Sequence, residues 1–264
     1  MLASDPVSAD VSDPARSAAP TQRVGDRYRL DDLIRVVNGA RVWRGADEVL
    51  NRAVMVWALP ADQPVAAEVQ AALLGAARLS DPRIARIFDA DCAIEHPYVF
   101  SEWPGGEYFD DLLQAGLPDP WVAATMIMVA SGAVASAHDA GRPHLCLTPH
   151  SMLWGRSGLK ITGLGIEAAL SGTAAADPAA ADTRALAGLL YALLTGYWPG
   201  AGTSALPRAP SRRGRVYSAS RARAGVPAAL DAITCRALLP DTAARITTPA
   251  ELAWELRRAG HKQQ

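Results

Sequence analysis

Few residues in this chain are of a type and spacing that suggest chemistry. His144 and Cys146 stand two apart in His144-Leu145-Cys146-Leu147-Thr148-Pro149-His150-Ser151. A thiol beside an imidazole is what a cysteine nucleophile needs, together with a third group to orient the imidazole. Residues i and i+2 on a strand-like loop project apart, and no third group is evident. The spacing therefore speaks against Cys146 as a nucleophile. A second candidate is Arg208, Arg212, Arg213, Arg215, Arg221 and Arg223, a run with no acid between its members. Read plainly, this is a solvated loop. The sharper alternative is a docking patch for an acidic or phosphorylated partner, or for anionic lipid head groups. Thr247-Thr248-Pro249 offers hydroxyls, but Thr248 as N-cap, Pro249 at N1 and Glu251 at N3 spell a helix start. Thr173 and Thr203 fall in expected loops and are the more accessible phosphorylation candidates.

Composition limits what these residues can serve. The chain has 264 residues, half of them hydrophobic and a fifth charged, with a formal net charge of −1. That is too apolar for a wholly disordered chain. It also gives no bulk attraction to nucleic acid. Cys92, Cys146 and Cys235 are too few for a disulfide framework and suit a reducing compartment. Residues 1–25 read as a disordered leader of Ala, Ser, Asp and Pro, without the basic and apolar regions of a signal peptide. Trp121 to Ala137 and Ala185 to Gly202 lack charge, but Ala, Ser, Gly and Thr dilute both. They read as buried helices rather than membrane spans. Aromatics are sparse, yet there are 7 Trp against 3 Phe.

Local pattern supplies the elements. Tyr28-Arg29-Leu30 begins a strand, Arg41 to Arg44 alternates, and Ala53 to Leu59 is a continuous apolar run fit for a buried strand. Asn38-Gly39 is a hairpin turn between them. Pro64 to Leu79 reads as helix, and Ile84 to Asp89 and Tyr98 to Glu102 as strands. After Pro104-Gly105-Gly106 the character becomes helical: Tyr108 to Gln114, Trp121 to Ala140, Asp182 to Thr195, Pro227 to Leu239 and Pro249 to Ala259. A strand pair, Ser151 to Trp154 and Leu159 to Thr162, interrupts. The predicted class is α+β, with a strand-rich half over residues 26–103, a helical half over 104–260 and a tail at 261–264.

That order, with its motifs, resembles the protein kinase fold, in particular bacterial Ser/Thr kinases of the actinobacterial type. Arg27-Tyr28-Arg29-Leu30 resembles the usual start of the first strand. Leu79-Ser80-Asp81-Pro82-Arg83-Ile84 resembles the L-x-H-P-x-I turn. Asp182 to Gly196 resembles the F-helix pattern D-x-x-S-L-G-x-x-L-Y-x-L-L-T-G, and Arg245 the late arginine of the helical lobe. The resemblance implies a two-lobed protein kinase-like fold over nearly the whole ordered chain.

The same resemblance implies that the chemistry is gone. Phosphoryl transfer needs cradled phosphates, a lysine, metal ions and a base. In Arg35-Val36-Val37-Asn38-Gly39-Ala40-Arg41-Val42 the three loop glycines are replaced by Arg35, Val37 and Ala40. In Val54-Met55-Val56-Trp57 the phosphate lysine is replaced by Trp57, an indole expected to fill the old nucleotide cleft. The partner glutamate's register points to Ala72, with Glu68 one turn earlier. In the H-R-D-x-K-P-x-N loop the base is Cys146, the lysine Thr148 and the metal-binding asparagine Ser151. Lys160-Ile161-Thr162-Gly163-Leu164-Gly165 stands where K-[IL]-x-D-F-G is expected, so the metal-binding aspartate is Gly163. The segment from Gly165 to Asp182 is short and lacks A-P-E.

These departures imply a pseudokinase without cofactor or metal, acting as a protein-interaction scaffold. Within such proteins the chain resembles the actinobacterial domain associated with the lipid II flippase of peptidoglycan synthesis. That domain shares the Arg-Tyr-Arg-Leu start, the lost glycine loop and the block formed here by Leu190 to Leu194 and Trp198-Pro199. The implied context is cytoplasmic regulation of cell-wall synthesis. The implied partners are a forkhead-associated domain protein and the flippase, with any membrane association through a partner, no direct membrane span and no nucleic acid. The alternative is a nucleotide-binding switch that works without metal.

Overall fold

The computed structural model describes residues 22–61, 63–76, 79–91, 97–200, 204–239 and 244–261. Its small lobe is built from β1 (Gln22–Val24), β2 (Tyr28–Val37), β3 (Ala40–Asp47), β4 (Arg52–Ala58), helix α1 (Gln63–Ala76), β5 (Ile87–Asp91) and β6 (Tyr98–Glu102). The strands form one antiparallel sheet in the order β1-β2-β3-β4-β6-β5. Asn38 and Gly39, both at positive φ (47° and 84°), close the β2–β3 hairpin as expected. Gln22–Val24, placed in the leader by composition, instead pair with β2. The rest of the expected leader, residues 1–21, lies outside the described residues, as do 262–264 of the tail.

The unbroken apolar run in β4 has a structural cause. Val54 and Val56 face one cluster with Tyr28, Leu30 and Phe100. Met55 and Trp57 face another with Val42, Val69, Leu73 and Val99. A strand covered on both faces needs apolar residues at every position. Tyr28 stacks on Phe100 at 3.7 Å between centroids.

The large lobe follows with β7 (Glu107–Tyr108), α2 (Phe109–Ala115), α3 (Pro120–Asp139), β8 (Met152–Gly155), β9 (Gly158–Ile161), α4 (Ile166–Ser171), α5 (Pro178–Thr195), β10 (Ser211–Arg212), β11 (Arg215–Val216), α6 (Ala219–Ala222), α7 (Ala228–Leu238) and α8 (Pro249–His261). β7, β8 and β9 make a small sheet. α5 runs through the core, buried continuously from Leu186 to Thr195, which is why its sequence is apolar on all sides. α3 is long and apolar enough to span a membrane, but half of it is buried, and it packs against α5 and α8. Asp119 caps it by accepting from the Trp121 and Val122 amides, with Pro120 at N1.

Some boundaries differ from the sequence expectation. α5 begins at Pro178, capped by Asp177, so Asp182 lies inside the helix rather than at its start. β5 begins at Ile87, while Ile84 makes an isolated parallel bridge to Ile161 of β9. That bridge joins the lobes, and the Lys160–Glu102 pair at 2.5 Å reinforces it. At α8 the Glu251 amide donates to Thr248 Oγ1, and the Glu251 carboxylate accepts from the Thr247 amide. The helix-start reading of Thr248 therefore holds.

Candidate functional site

The loop His144–Ser151 is held by one buried carboxylate. Asp182 of α5, with no solvent exposure, accepts from the backbone amides of His144 (2.8 Å) and Leu145 (2.7 Å) and bonds His138 Nε2 (2.8 Å). Leu145 is thereby fixed at φ 63°, a conformation a branched residue adopts only when its surroundings impose it. His144 is buried; its Nδ1 accepts from the Cys146 amide (3.4 Å) and its Nε2 faces the Thr162 carbonyl (2.9 Å). Both ring nitrogens are occupied, and neither serves the thiol. Cys146 Sγ lies 3.5 Å from Ser171 Oγ, and burial pushes the thiol above its usual range. It is not poised as a nucleophile.

The remaining loop positions turn inward on their own backbone. Ser151 Oγ accepts from the Thr148 amide (2.9 Å) and donates to the Thr148 carbonyl (2.8 Å). Thr148 caps the 3-10 turn Pro149–Ser151. His150 Nε2 bonds buried Asp110 at 2.8 Å. Burial alone would raise the Asp110 pKa, but hydrogen bonds from His150 and Ser204 hold it below the usual range.

Above this loop, two residues from opposite lobes meet. Arg35, near the end of β2, reaches across the cleft to Glu167 of α4, Nη2 to Oε1 at 3.0 Å, and also donates to the His150 carbonyl. Both side chains are nearly buried, 11% and 6% exposed. The guanidinium carbon lies 5.6 Å from the Trp57 ring and 5.4 Å from that of Tyr108, distances of cation–π contact. Burial pushes the Glu167 carboxyl up, while Arg35, His144 and His150 pull it down. Trp57 is fully buried, and its indole N–H has no hydrogen-bond partner among the described residues.

Glu167 was not among the candidates read from the sequence, yet it is central here. Gly163, at φ 81°, leaves it room: a Cβ on Gly163 would come within 2.4 Å of Glu167 Oε1. The space a side chain at position 163 would use thus holds the Glu167 carboxylate. α4 also carries Ile166 and Leu170 into the small-lobe cluster around Trp57. Gly165 packs against Ala72, so α1 seats on α4. Glu68 points to solvent. Val37 and Ala40 flank the β2–β3 turn, Ala40 fully buried and Val37 packed against the same cluster. The one sequence signal for α4 is the Ile166/Leu170 pair between Gly165 and Gly172.

Arg35, Asn38 and Glu167 themselves, with Cys146, Thr148 and Trp198, line a groove of about 890 Å³ between β2 and the His144–Ser151 loop. Thr173 is exposed at its edge, 2.5 Å from Ser171 Oγ. Thr203 lies outside the described residues. Among the described residues no cluster of three or more His, Cys, Asp or Glu could hold a metal ion. The arginine run is not one uniform surface. Arg212, Arg213 and Arg215 sit on the β10–β11 hairpin, which the loop reading did not anticipate. Arg208 lies beside Trp198, Arg221 stacks on Tyr217 at 3.9 Å, and Arg223 donates to the Leu194 carbonyl (2.9 Å).

A curled antiparallel sheet with one helix, set against a helical lobe that carries a carboxylate-pinned loop, is the two-lobed protein kinase-like fold. The likeness to solved structures agrees. No protein-family model matches the chain. It is similar to the serine/threonine-protein kinase PknL of Mycobacterium bovis, 28% identical over 268 residues covering 90% of this chain and 66% of the relative. PknL of Mycobacterium tuberculosis is 27% identical with the same coverage, so the chain spans about two thirds of the length of these relatives. The crystal structure of the M. tuberculosis PknI kinase domain superposes with a TM-score of 0.74 at 19% identity, covering 92% of this chain and 100% of that one.

Proposed function

We propose that this chain is a pseudokinase: a kinase-like fold that does not transfer phosphate and works as a protein-interaction scaffold, in the regulation of peptidoglycan synthesis. The observation that supports this most is the Arg35–Glu167 pair packed against Trp57. On the resemblance, these side chains stand at or beside the positions of a glycine-loop residue, the phosphate lysine and the metal-binding aspartate. A nucleotide's phosphates and metal would need that volume; in this reading the chain's own cation, acid and indole take it, beside a groove that stays open. The relatives carry the name serine/threonine-protein kinase; the proposal is that this chain has departed from what the name describes. The backbone frame of the loop is kept by Asp182, so the fold retains its shape and its surface. The forkhead-associated and flippase partners, and the cytoplasmic setting, are proposed on the sequence resemblance.

Thermal unfolding with and without ATP, each with and without Mg²⁺, tests the reading. A ligand at a hundred times its Kd stabilises by about 2.7 kcal/mol, a shift readily seen. The expected result is no shift in any condition. A rise without metal would replace the scaffold reading by the nucleotide-switch alternative, and a rise only with Mg²⁺ would contradict both.

A further inference from the structure

We propose that the β10–β11 hairpin, with the adjoining Arg208, is a docking surface for an extended anionic peptide segment. This surface lies outside the cleft, so it stands whether or not the cleft transfers phosphate; it extends the interaction-module reading by naming the chemistry of a partner. From Gly196 to Leu230 the chain has six arginines and no Asp or Glu. The next acid, Asp231, is engaged by Ser220, accepting from its amide (3.1 Å) and its hydroxyl (2.5 Å).

The hairpin concentrates the charge. Arg212 is the direct cross-strand partner of Arg215, so the hairpin brings two arginines side by side on its short strands. Arg213 occupies the turn at φ 51°, where Asn or Gly is the usual choice. Arg208, Arg212 and Arg213 are exposed, and they form no ion pair among the described residues.

The frame beneath is fixed. The Trp198 amide donates to the Pro207 carbonyl and the Ala209 amide to the Trp198 carbonyl, one on either side of Arg208. The Tyr217 amide donates to the Pro210 carbonyl, and Val216 and buried Ala219 belong to the large-lobe core. A rigid backbone presenting guanidiniums lowers the ordering cost of binding. Guanidiniums take carboxylates or phosphates in bidentate fashion.

The span from Arg208 to Arg212 is at most about 14 Å, the reach of a few extended residues. No large hydrophobic side chain is exposed between residues 204 and 239, so there is nothing here to insert into a bilayer. These two facts favour a peptide over a lipid surface.

The test is fluorescence anisotropy with labelled octapeptides of alternating Glu and Gly, the same with phosphothreonine for Glu, and the same with Gln. The variant R208Q/R212Q/R213Q is compared with R41Q/R156Q/R257Q, which removes three exposed arginines elsewhere. We expect the anionic peptides to bind the wild type, with the hairpin variant about tenfold weaker or more and the control within about twofold. Preference between the two anionic peptides tells whether phosphate or carboxylate is the better ligand. The proposal is overturned if the hairpin variant binds as well as the wild type, if the control loses as much, or if the Gln peptide binds equally. It is also overturned if only vesicles of about one third phosphatidylserine bind. Phosphoryl-transfer assays report on the cleft separately.

Discussion

Replacing Arg35 by Met probes the contact that ties β2 to α4 across the cleft. Methionine keeps an unbranched chain against the Trp57 and Tyr108 rings and removes the charge. Glu167 is then a nearly buried carboxylate without its cation. It can escape only by taking up a proton. At pH 7.5, three units above its ordinary value of 4.5, protonation costs at most about 4 kcal/mol, at 1.36 kcal/mol per unit. Burial already raises this carboxyl in the wild type, so part of that cost is present before the substitution. The added loss at pH 7.5 is therefore expected to stay below about 4 kcal/mol, plus about 1 kcal/mol for the lost bond to the His150 carbonyl.

The sign follows from the direction of the shift. A carboxyl whose folded pKa is raised contributes its stability fully below its unfolded value, and loses it as pH rises through the folded value. The loss in R35M should shrink to about 1 kcal/mol near pH 4.5. The double variant R35M/E167Q removes the carboxylate and should recover the pH-dependent part. Urea unfolding of the wild type and the two variants at pH 5 and pH 7.5 measures this. Equal losses for R35M at both pH values, or a double variant less stable than R35M at pH 7.5, would refute the reasoning.

Other substitutions probe the supports of the cleft. D182A should destabilise by about 3–5 kcal/mol, since it strands the amides of His144 and Leu145 and the His138 imidazole; urea midpoints report it. W57A, at a fully buried indole, should cost about 3–5 kcal/mol in the same assay through the cavity it leaves. D110N should lose about 2 kcal/mol at pH 7, because its depressed pKa means stability present above the ordinary 3.8 and lost as pH falls through the folded value. The gap between D110N and wild type should therefore narrow in unfolding curves below pH 3.8.

What was legible in the sequence was what local pattern carries. The two-faced burial of β4 shows as an uninterrupted apolar run, and the Asn38-Gly39 turn is spelled by residues that tolerate positive φ. The helix around Asp182 was legible, but not its first turn, because alanines from Ala179 to Ala181 carry no apolar period. α4 escaped notice because six residues are too few to show a helical repeat, and its stability comes from Ile166 and Leu170 packing into the other lobe. The Arg35–Glu167 pair joins residues 132 positions apart, and no local signal announces such a contact. Arg35 was identified as a lost glycine, which said what was missing and not what the side chain does. In the same way, the acid-free arginine run suggested a loop, whereas its middle, Ser211 to Val216, closes into a two-stranded hairpin.

The central claim is that the chain's own side chains occupy the volume phosphoryl transfer would need. It is tested most directly by incubating the purified protein with γ-labelled ATP and Mg²⁺ or Mn²⁺, alone and with a generic basic protein substrate, and measuring label transferred per chain. The account predicts transfer indistinguishable from a no-protein control. Time-dependent label on the protein or the substrate would contradict it.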